Sequence, residues 1–130
     1  MSREQVSSGA KWEDTVGYSR AVRVGNVVHV SGTTAVDDAG QIVGVGDAYR
    51  QAKHIFAIIE NALNELGAEL EDVTRTRMFV VDVEDWEDVG RAHGEIFRRI
   101  KPASTLVAID RLIDPNLLVE IEVDAVIDDA

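Results

Sequence analysis

The stretch that decides the fold is KPASTLVAIDRLIDPNLLVEIEVDAV, residues 101–126. Pro102 cannot continue a preceding helix, because it has no backbone N–H and its ring clashes with the turn before it. Residues 105–109 and 118–127 are rich in aliphatic and β-branched side chains, which predicts two strands. Asp114, Pro115 and Asn116 lie between them and are typical turn residues. The stretch therefore predicts the end of a helix followed by two closing strands.

Two helices are predicted upstream of this stretch. The first begins after Asp47, a typical N-cap residue, and ends before Gly67, a typical C-cap residue. Its apolar residues recur at helical spacing, and those predicted to be buried are Ala48, Ala52, Ile55, Ile59, Ala62, Leu63 and Leu66. The second helix is predicted over residues 85–100, with Trp86, Val89, Ala92, Ile96 and Phe97 buried.

The remaining apolar segments predict strands. Residues 20–31 form two valine-rich arms around Gly25 and Asn26, a pair that tolerates the positive φ of a tight hairpin turn. Residues 33–46 predict turns around a short strand near residues 42–43. In residues 72–83, the side chains predicted to share the helix-facing side are Thr74, Thr76, Met78 and Val80. The order ββ(β)αβαββ predicts an α+β protein with one mixed sheet and both helices on one face.

The other face of the predicted sheet is not simply polar. The side chains predicted to lie on it are Arg75, Arg77, Phe79, Val81, Glu120, Glu122, Asp124 and Val126. Such a mixture of charged and large apolar groups is typical of an oligomer contact or a cleft. We therefore expect that the working unit is not a monomer.

Composition limits the classes of function. The 130 residues predict a single domain, 1–130, in which residues 1–16 form a polar N-terminal segment. The absence of cysteine excludes a disulfide framework, a thiol nucleophile and a thiolate metal site. The net charge of -11, from 24 acidic and 13 basic residues, disfavours nucleic acid and anionic membranes as partners. Because no apolar run has the length of a membrane span, the expected location is the cytoplasm.

Glu120 and Glu122 are candidate proton-transfer groups. They are two residues apart on a predicted strand and therefore share a face. If such a pair is partly buried, one carboxyl can hold a raised pKa, which suits proton exchange with a bound water. The alternative is that both glutamates pair with Arg75 or Arg77 and stabilise the sheet, and the spacing alone favours it.

The other reactive side chains form no recognisable motif. His29, His54 and His93 fall in separate predicted elements without metal-ligand spacing, so each is interpreted as structural or solvated. No serine lies in a G-x-S-x-G segment, which argues against a serine hydrolase. The residues alone indicate a carboxylate-bearing face but no particular reaction.

The deciding stretch also resembles the closing segment of the Rid (YjgF-like, L-PSP) family. The positions that carry the resemblance are Pro102-Ala103, Arg111-Leu112 and VEIE at residues 119–122, with GYS at 17–19, VSG at 30–32 and RMFV at 77–80. His93 lies where a tyrosine is common in that family. The resemblance extends from about residue 18 to residue 126.

The resemblance implies a chorismate-mutase-like fold, in which three sheets form a central barrel with the helices outside. It implies a homotrimer that binds small molecules in clefts between subunits. It further implies hydrolysis of imines or enamines to a ketoacid and ammonia without a metal or an organic cofactor. Glu120 matches the glutamate that positions the attacking water. Tyr18, Gly32, Thr105 and the backbone at Leu106 match positions that line the pocket.

Ser104 departs from the family pattern, because an arginine that binds the substrate carboxylate is usual at this position. A guanidinium binds a carboxylate through two charge-assisted hydrogen bonds, whereas a serine hydroxyl carries no charge. Arg111 also fits a family position, but its direction in the cleft is not implied. We therefore expect a small-molecule-binding homotrimer whose deaminase activity is altered or weak and whose ligand is neutral or less acidic.

Three alternatives stay open. The chain could be a deaminase that binds the carboxylate through another residue. It could have the endoribonuclease or translation-inhibitor activity attached to parts of the family, against which its acidity argues. It could also be a structural or chaperone-like trimer with unused clefts.

Overall fold

The computed structural model describes residues 2–128, which form one six-stranded sheet with two long helices on one of its faces. The elements are β1 (Arg3–Val6), β2 (Ala21–Val24), β3 (Val27–Thr33), α1 (Ala48–Glu65), β4 (Val73–Val80), α2 (Trp86–Phe97), β5 (Ala103–Ala108) and β6 (Val119–Val126). The strand order is β1-β2-β3-β6-β4-β5. Only the β4–β5 pair is parallel among these strands, and the other neighbours are antiparallel. The predicted α+β class with a single mixed sheet is confirmed.

Helix α1 begins and ends as the sequence predicts. The Asp47 carboxylate accepts a hydrogen bond from the Arg50 backbone N–H at 3.0 Å, and Gly67 takes a positive φ of 82° after the last turn. All seven residues predicted to be buried on this helix are buried. Gln51 is also fully buried, and its amide hydrogen-bonds the backbone of Gly44, Asn116 and Leu118. A polar residue thus ties α1 to the turn before β6.

In helix α2, one residue that was predicted to be buried is exposed. Val89, Ala92 and Phe97 are buried as predicted and Ile96 is partly buried, but 55% of Trp86 is exposed. Trp86 lies in the first turn of α2, on the same side of the helix as the other apolar residues, and its indole lines an open cavity beside β5. Helical spacing identifies the side of a helix that faces the sheet, but it does not show where the packing partners end.

Two irregularities break the predicted strand alternation. A register shift between Val73 and Arg75 buries Val73 and leaves Thr74 exposed, so the prediction that Thr74 faces the helices is wrong. A second shift lies between Val30 and Thr33 and includes Gly32. Such bulges place an extra residue in one strand and re-aim its side chains. The second bulge bears directly on the candidate site.

The N-terminal segment contributes a strand that the sequence did not predict. Strand β1 pairs with β2 in antiparallel register, and most of its side chains are exposed. An exposed edge strand needs no apolar alternation, so it leaves no pattern in the sequence. In the segment after β1, Glu13 is buried and accepts hydrogen bonds at 2.9 Å from the Ser7 hydroxyl and the Ser8 backbone N–H.

No helix in the described part of the chain is both long and apolar enough to cross a membrane.

Candidate functional site

The face that the helices leave uncovered carries three rows of side chains across β6, β4 and β5. The rows, given by residues in register, are Asp124–Arg75–Ala103, Glu122–Arg77–Thr105 and Glu120–Phe79–Val107. Arg77 binds Glu122 at 3.3 Å and Asp124 at 3.2 Å. Glu122 therefore forms an ion pair with Arg77 that stabilises the sheet. This is the alternative interpretation that was given for both glutamates from the sequence.

Glu120 differs from its neighbour. Among residues 2–128, no hydrogen bond or ion pair to its carboxylate is found, although the side chain is half-buried. Burial raises the pKa of Glu120, the negative charge of Glu122 raises this pKa further, and Arg20 opposes the rise. A carboxyl of raised pKa is suited to both taking and returning a proton.

Gly32 lies so close to Glu120 that a side chain at this position would displace the Glu120 carboxylate. A Cβ at this position would stand 2.7 Å from Oε2 of Glu120. The β3 bulge brings the backbone to this point, because two residues of β3 face one residue of β6 there. Gly32 therefore makes room for the Glu120 carboxylate on the uncovered face.

Arg20 and Tyr18 complete what we call the Glu120 cluster, which comprises Tyr18, Arg20, Gly32 and Glu120. The Arg20 guanidinium donates a hydrogen bond to the Gly32 carbonyl at 3.1 Å and lies 5.8 Å from the centroid of the Tyr18 ring. Its Nε is buried without a hydrogen-bond partner in the described chain. Arg20 was not predicted to be a site residue. Strand alternation from the buried Ala21 would have placed Arg20 on the uncovered face.

Ser104 and Leu106 lie on the opposite face of the sheet from this cluster. They are in register with Thr76 and Met78, which face the helices, and the Thr76 hydroxyl donates a hydrogen bond to Ser104 Oγ at 2.8 Å. Thr105 alternates to the uncovered face, next to Arg77. The predicted site residues are therefore divided between two faces and do not converge within one chain.

The side chains of Ser104 and Leu106 line an open cavity of about 500 Å³ between β5 and α2, here called the β5 cavity. Its other lining side chains include Met78, Val83, Trp86 and His93. Its surface is mainly apolar, so the Ser104 hydroxyl and the His93 ring are its main polar features.

His93 is joined to Ser104 through Thr76. Its Nε2 lies 2.9 Å from the Thr76 hydroxyl, and its ring packs against Phe97 with a centroid distance of 4.7 Å. Burial lowers the pKa of His93, so the imidazole is neutral at neutral pH. From the sequence, His93 was interpreted as a structural or solvated histidine. Its spacing of four residues from both Val89 and Phe97 on the buried stripe was the signal that could have placed it here.

The raised pKa of Glu120 gives a prediction for stability. Because the folded-state pKa lies above the unfolded-state value, ionisation of this carboxyl costs stability as the pH rises through the folded-state pKa. Glu120→Gln should therefore raise the melting temperature by a few degrees at pH 7. The gain should vanish near pH 4 and below, where the glutamate of the unfolded chain also becomes protonated (pKa about 4.3).

Thermal melts of the wild type and Glu120→Gln at several pH values measure this gain. Glu60→Gln is the matched control, because it removes the same charge from an exposed position on α1. A gain for Glu120→Gln that is equal at pH 4 and pH 7 would contradict the assigned pKa direction.

These features define a class of small α+β proteins in which one sheet carries helices on one face and a shielded carboxyl on the other. Residues 10–127 match the model of the family described as Endoribonuclease L-PSP. The chain belongs to this family, the Rid or YjgF-like proteins that residues 101–126 resemble. The family assignment made from the sequence is confirmed.

Three relatives illustrate the similarity. The protein SCO2049 of Streptomyces coelicolor is 40% identical over 121 residues, which cover 93% of this chain and 90% of the relative. The 3-aminoacrylate deaminase RutC of Acinetobacter baylyi is 34% identical over 104 residues, covering 80% and 82%. The crystal structure of Rv2704 from Mycobacterium tuberculosis, a member of the YjgF/YER057c/UK114 family, superposes with a TM-score of 0.88 at 45% identity, covering 97% and 100%.

Proposed function

We propose that the protein is a homotrimer that hydrolyses an imine or enamine to a carbonyl compound and ammonia in clefts between its subunits. The observation that carries this proposal is Glu120, a half-buried carboxyl of raised pKa seated against Gly32. The similarity to RutC supports the reaction class, because 3-aminoacrylate is an enamine and that relative is named as its deaminase.

The division of the predicted site between two faces supports a cleft between subunits. Strand β5 is an edge strand, and 43% of its Val107 is exposed on the uncovered face. We propose that the uncovered face of one protomer lies against the β5 edge of the next. Each cleft would then combine the Glu120 cluster of one protomer with Ser104 and Leu106 of its neighbour.

In this cleft, Glu120 would act as the proton carrier. An enamine first takes a proton from solvent at carbon and becomes the protonated imine. Water attacks the carbon of the protonated imine, the C=N π electrons move to nitrogen, and the Glu120 carboxylate takes a proton from the water as the C–O bond forms. The nitrogen of the resulting carbinolamine takes this proton back from the Glu120 carboxyl. The C–N bond then breaks, ammonia leaves, and the hydroxyl proton passes to solvent as the carbonyl forms. A carboxyl of raised pKa suits both steps, because it can return the proton to the leaving nitrogen.

The experiment that tests this proposal combines mass and activity. Light scattering coupled to size exclusion should give about three times the chain mass, because the uncovered face mixes Phe79 with charged groups that a neighbour would cover. The trimer fraction should release ammonia from 3-aminoacrylate and, faster, from its uncharged amide, because Ser104 offers no charge to the carboxylate.

A monomer at micromolar concentration would contradict the cleft between subunits. Phe79→Asp is the matched interface variant. It places a further carboxylate in register with Glu120 and should shift the trimer toward monomers while circular dichroism shows an intact fold. A trimer that releases no ammonia from either compound would contradict the reaction.

A further inference from the structure

The β5 cavity contains a hydrogen-bonded arrangement that the proposed reaction does not use, the Ser104 network of His93, Thr76 and Ser104. Thr76 is fully buried at its centre, with contacts of 2.9 Å to His93 Nε2 and 2.8 Å to Ser104 Oγ. Ser104 is its exposed end and faces the cavity. The network therefore connects a neutral imidazole to the only hydroxyl that lines the cavity in the described chain.

The single hydroxyl proton of Thr76 couples the two ends of the network. If Thr76 donates to Ser104, it accepts from the Nε2–H of His93, and the Ser104 hydroxyl can donate to a ligand. If His93 holds its proton on Nδ1, Thr76 donates to Nε2 and Ser104 donates to Thr76, so Ser104 accepts from a ligand. The cavity thus presents either a donor or an acceptor, and neither arrangement places a charge at Ser104.

The surroundings of the cavity disfavour an anion. No lysine or arginine of the described residues lines it. The segment that contributes Val83 and Trp86 to the wall also carries the carboxylates of Asp82, Glu84, Asp85, Glu87 and Asp88. Burial and the charges of Asp82 and Asp88 raise the pKa of Asp85, which indicates a negative potential here. A carboxylate in the cavity would lose its hydration without gaining a counter-charge.

We infer that the Ser104 network makes the β5 cavity a subsite for an uncharged polar group, such as an amide or a ketone, whose apolar portion packs against Trp86, Met78 and Leu106. This inference rests on the proposed function in that it assigns the ligand class of the same cleft. Ser104 touches the ligand, and Thr76 and His93 are positioning residues that fix the hydroxyl.

Three probes of one skeleton test the charge requirement: phenylacetamide, phenylacetate and 2-phenylethylammonium. Dissociation constants come from NMR titrations that follow the indole N–H of Trp86 and the amide of Ser104. Phenylacetamide should bind about tenfold more tightly than either charged probe, because among the described residues no lysine or arginine lines the cavity to pair with the carboxylate and no acidic side chain lines it to pair with the ammonium. Equal or tighter binding of a charged probe at these two residues would overturn the inference.

Substitutions test the network itself. Ser104→Ala and Thr76→Val should each weaken phenylacetamide binding about five- to tenfold. Thr76→Ser and His93→Gln should each retain most of the wild-type affinity, because each keeps a hydrogen-bonding group in place. A purely packing role would not distinguish Thr76→Val from Thr76→Ser in this way. If Thr76→Val does not fold, the exposed Ser104→Ala decides, and wild-type affinity in that variant would overturn the inference.

Binding is measured without turnover, so the inference and the proposed function fail separately. A trimer that binds phenylacetamide with these dependences but releases no ammonia would contradict the reaction and support the subsite. A deaminase whose affinity for phenylacetamide is unaffected by Ser104→Ala would support the reaction and overturn the subsite.

Discussion

Replacing Glu120 with glutamine is expected to lower the rate of ammonia release by about 10²–10⁴-fold, the range that a positioned proton-transfer group contributes. Glutamine has nearly the same shape and can occupy the same space against Gly32, but it cannot take a proton from water. The effect should therefore fall on kcat rather than on substrate affinity. Steady-state ammonia release by the purified protein measures it.

Glu122→Gln is the matched control for this prediction. Glu122 is on the same strand and the same face, but its carboxylate binds Arg77 at 3.3 Å. The control should keep most of the wild-type rate, since Arg77 retains Asp124 as a partner at 3.2 Å. If the two substitutions lower the rate equally, general loss of negative charge explains the result and Glu120 has no special role.

The parts of the fold that were predicted are those that local chemistry determines. Asp47 and Gly67 mark the ends of α1 because each satisfies backbone groups at a helix terminus. The hairpin of β2 and β3 follows in the same way from Gly25, which takes a positive φ of 59°. In each case, the residues that decide the structure are neighbours in the sequence.

The arrangement of the candidate site could not be predicted in this way. Ser104 and Glu120 were both matched to the site of the family, yet their placement on opposite faces depends on the registers of β4 with β5 and β6. The bulge that brings Gly32 to Glu120 likewise depends on pairing between distant strands. A single sequence carries alternation within a strand but not its register with another.

The contacts of the His93 side chain could not be predicted from the sequence either. Its position on the helix predicts the direction in which its side chain points. It does not predict that the Thr76 hydroxyl of β4 lies 2.9 Å from its Nε2. The Ser104 network therefore depends on how α2 packs against β4, which the sequence alone does not determine. Its members come from three elements that are separated in the sequence.

Installing an arginine at position 104 is expected to raise kcat/KM for 3-aminoacrylate on the order of 10²-fold. A guanidinium would supply two charge-assisted hydrogen bonds to the carboxylate, and each contributes about 1.5–3 kcal/mol. The β5 cavity of about 500 Å³ has room for the longer side chain. Ammonia release by Ser104→Arg and the wild type measures the gain, and the uncharged amide should show none. An equal gain on the amide would mean that the arginine does not act through the carboxylate.

Mixed trimers make this prediction specific to a cleft between subunits. The double variant Ser104→Arg, Glu120→Gln should be inactive on 3-aminoacrylate, because every cleft lacks the carboxylate that carries the proton. When this variant is co-assembled with the wild type, some clefts should combine the new arginine of one protomer with Glu120 of its neighbour. The rate of ammonia release by the mixed trimers should exceed that of either parent, because only these clefts contain both groups. The two groups lie on opposite faces of a single sheet and cannot meet within one chain. A mixture that shows only the average of the two parents, although mass spectrometry confirms mixed trimers, would place both groups in separate sites and contradict the shared cleft.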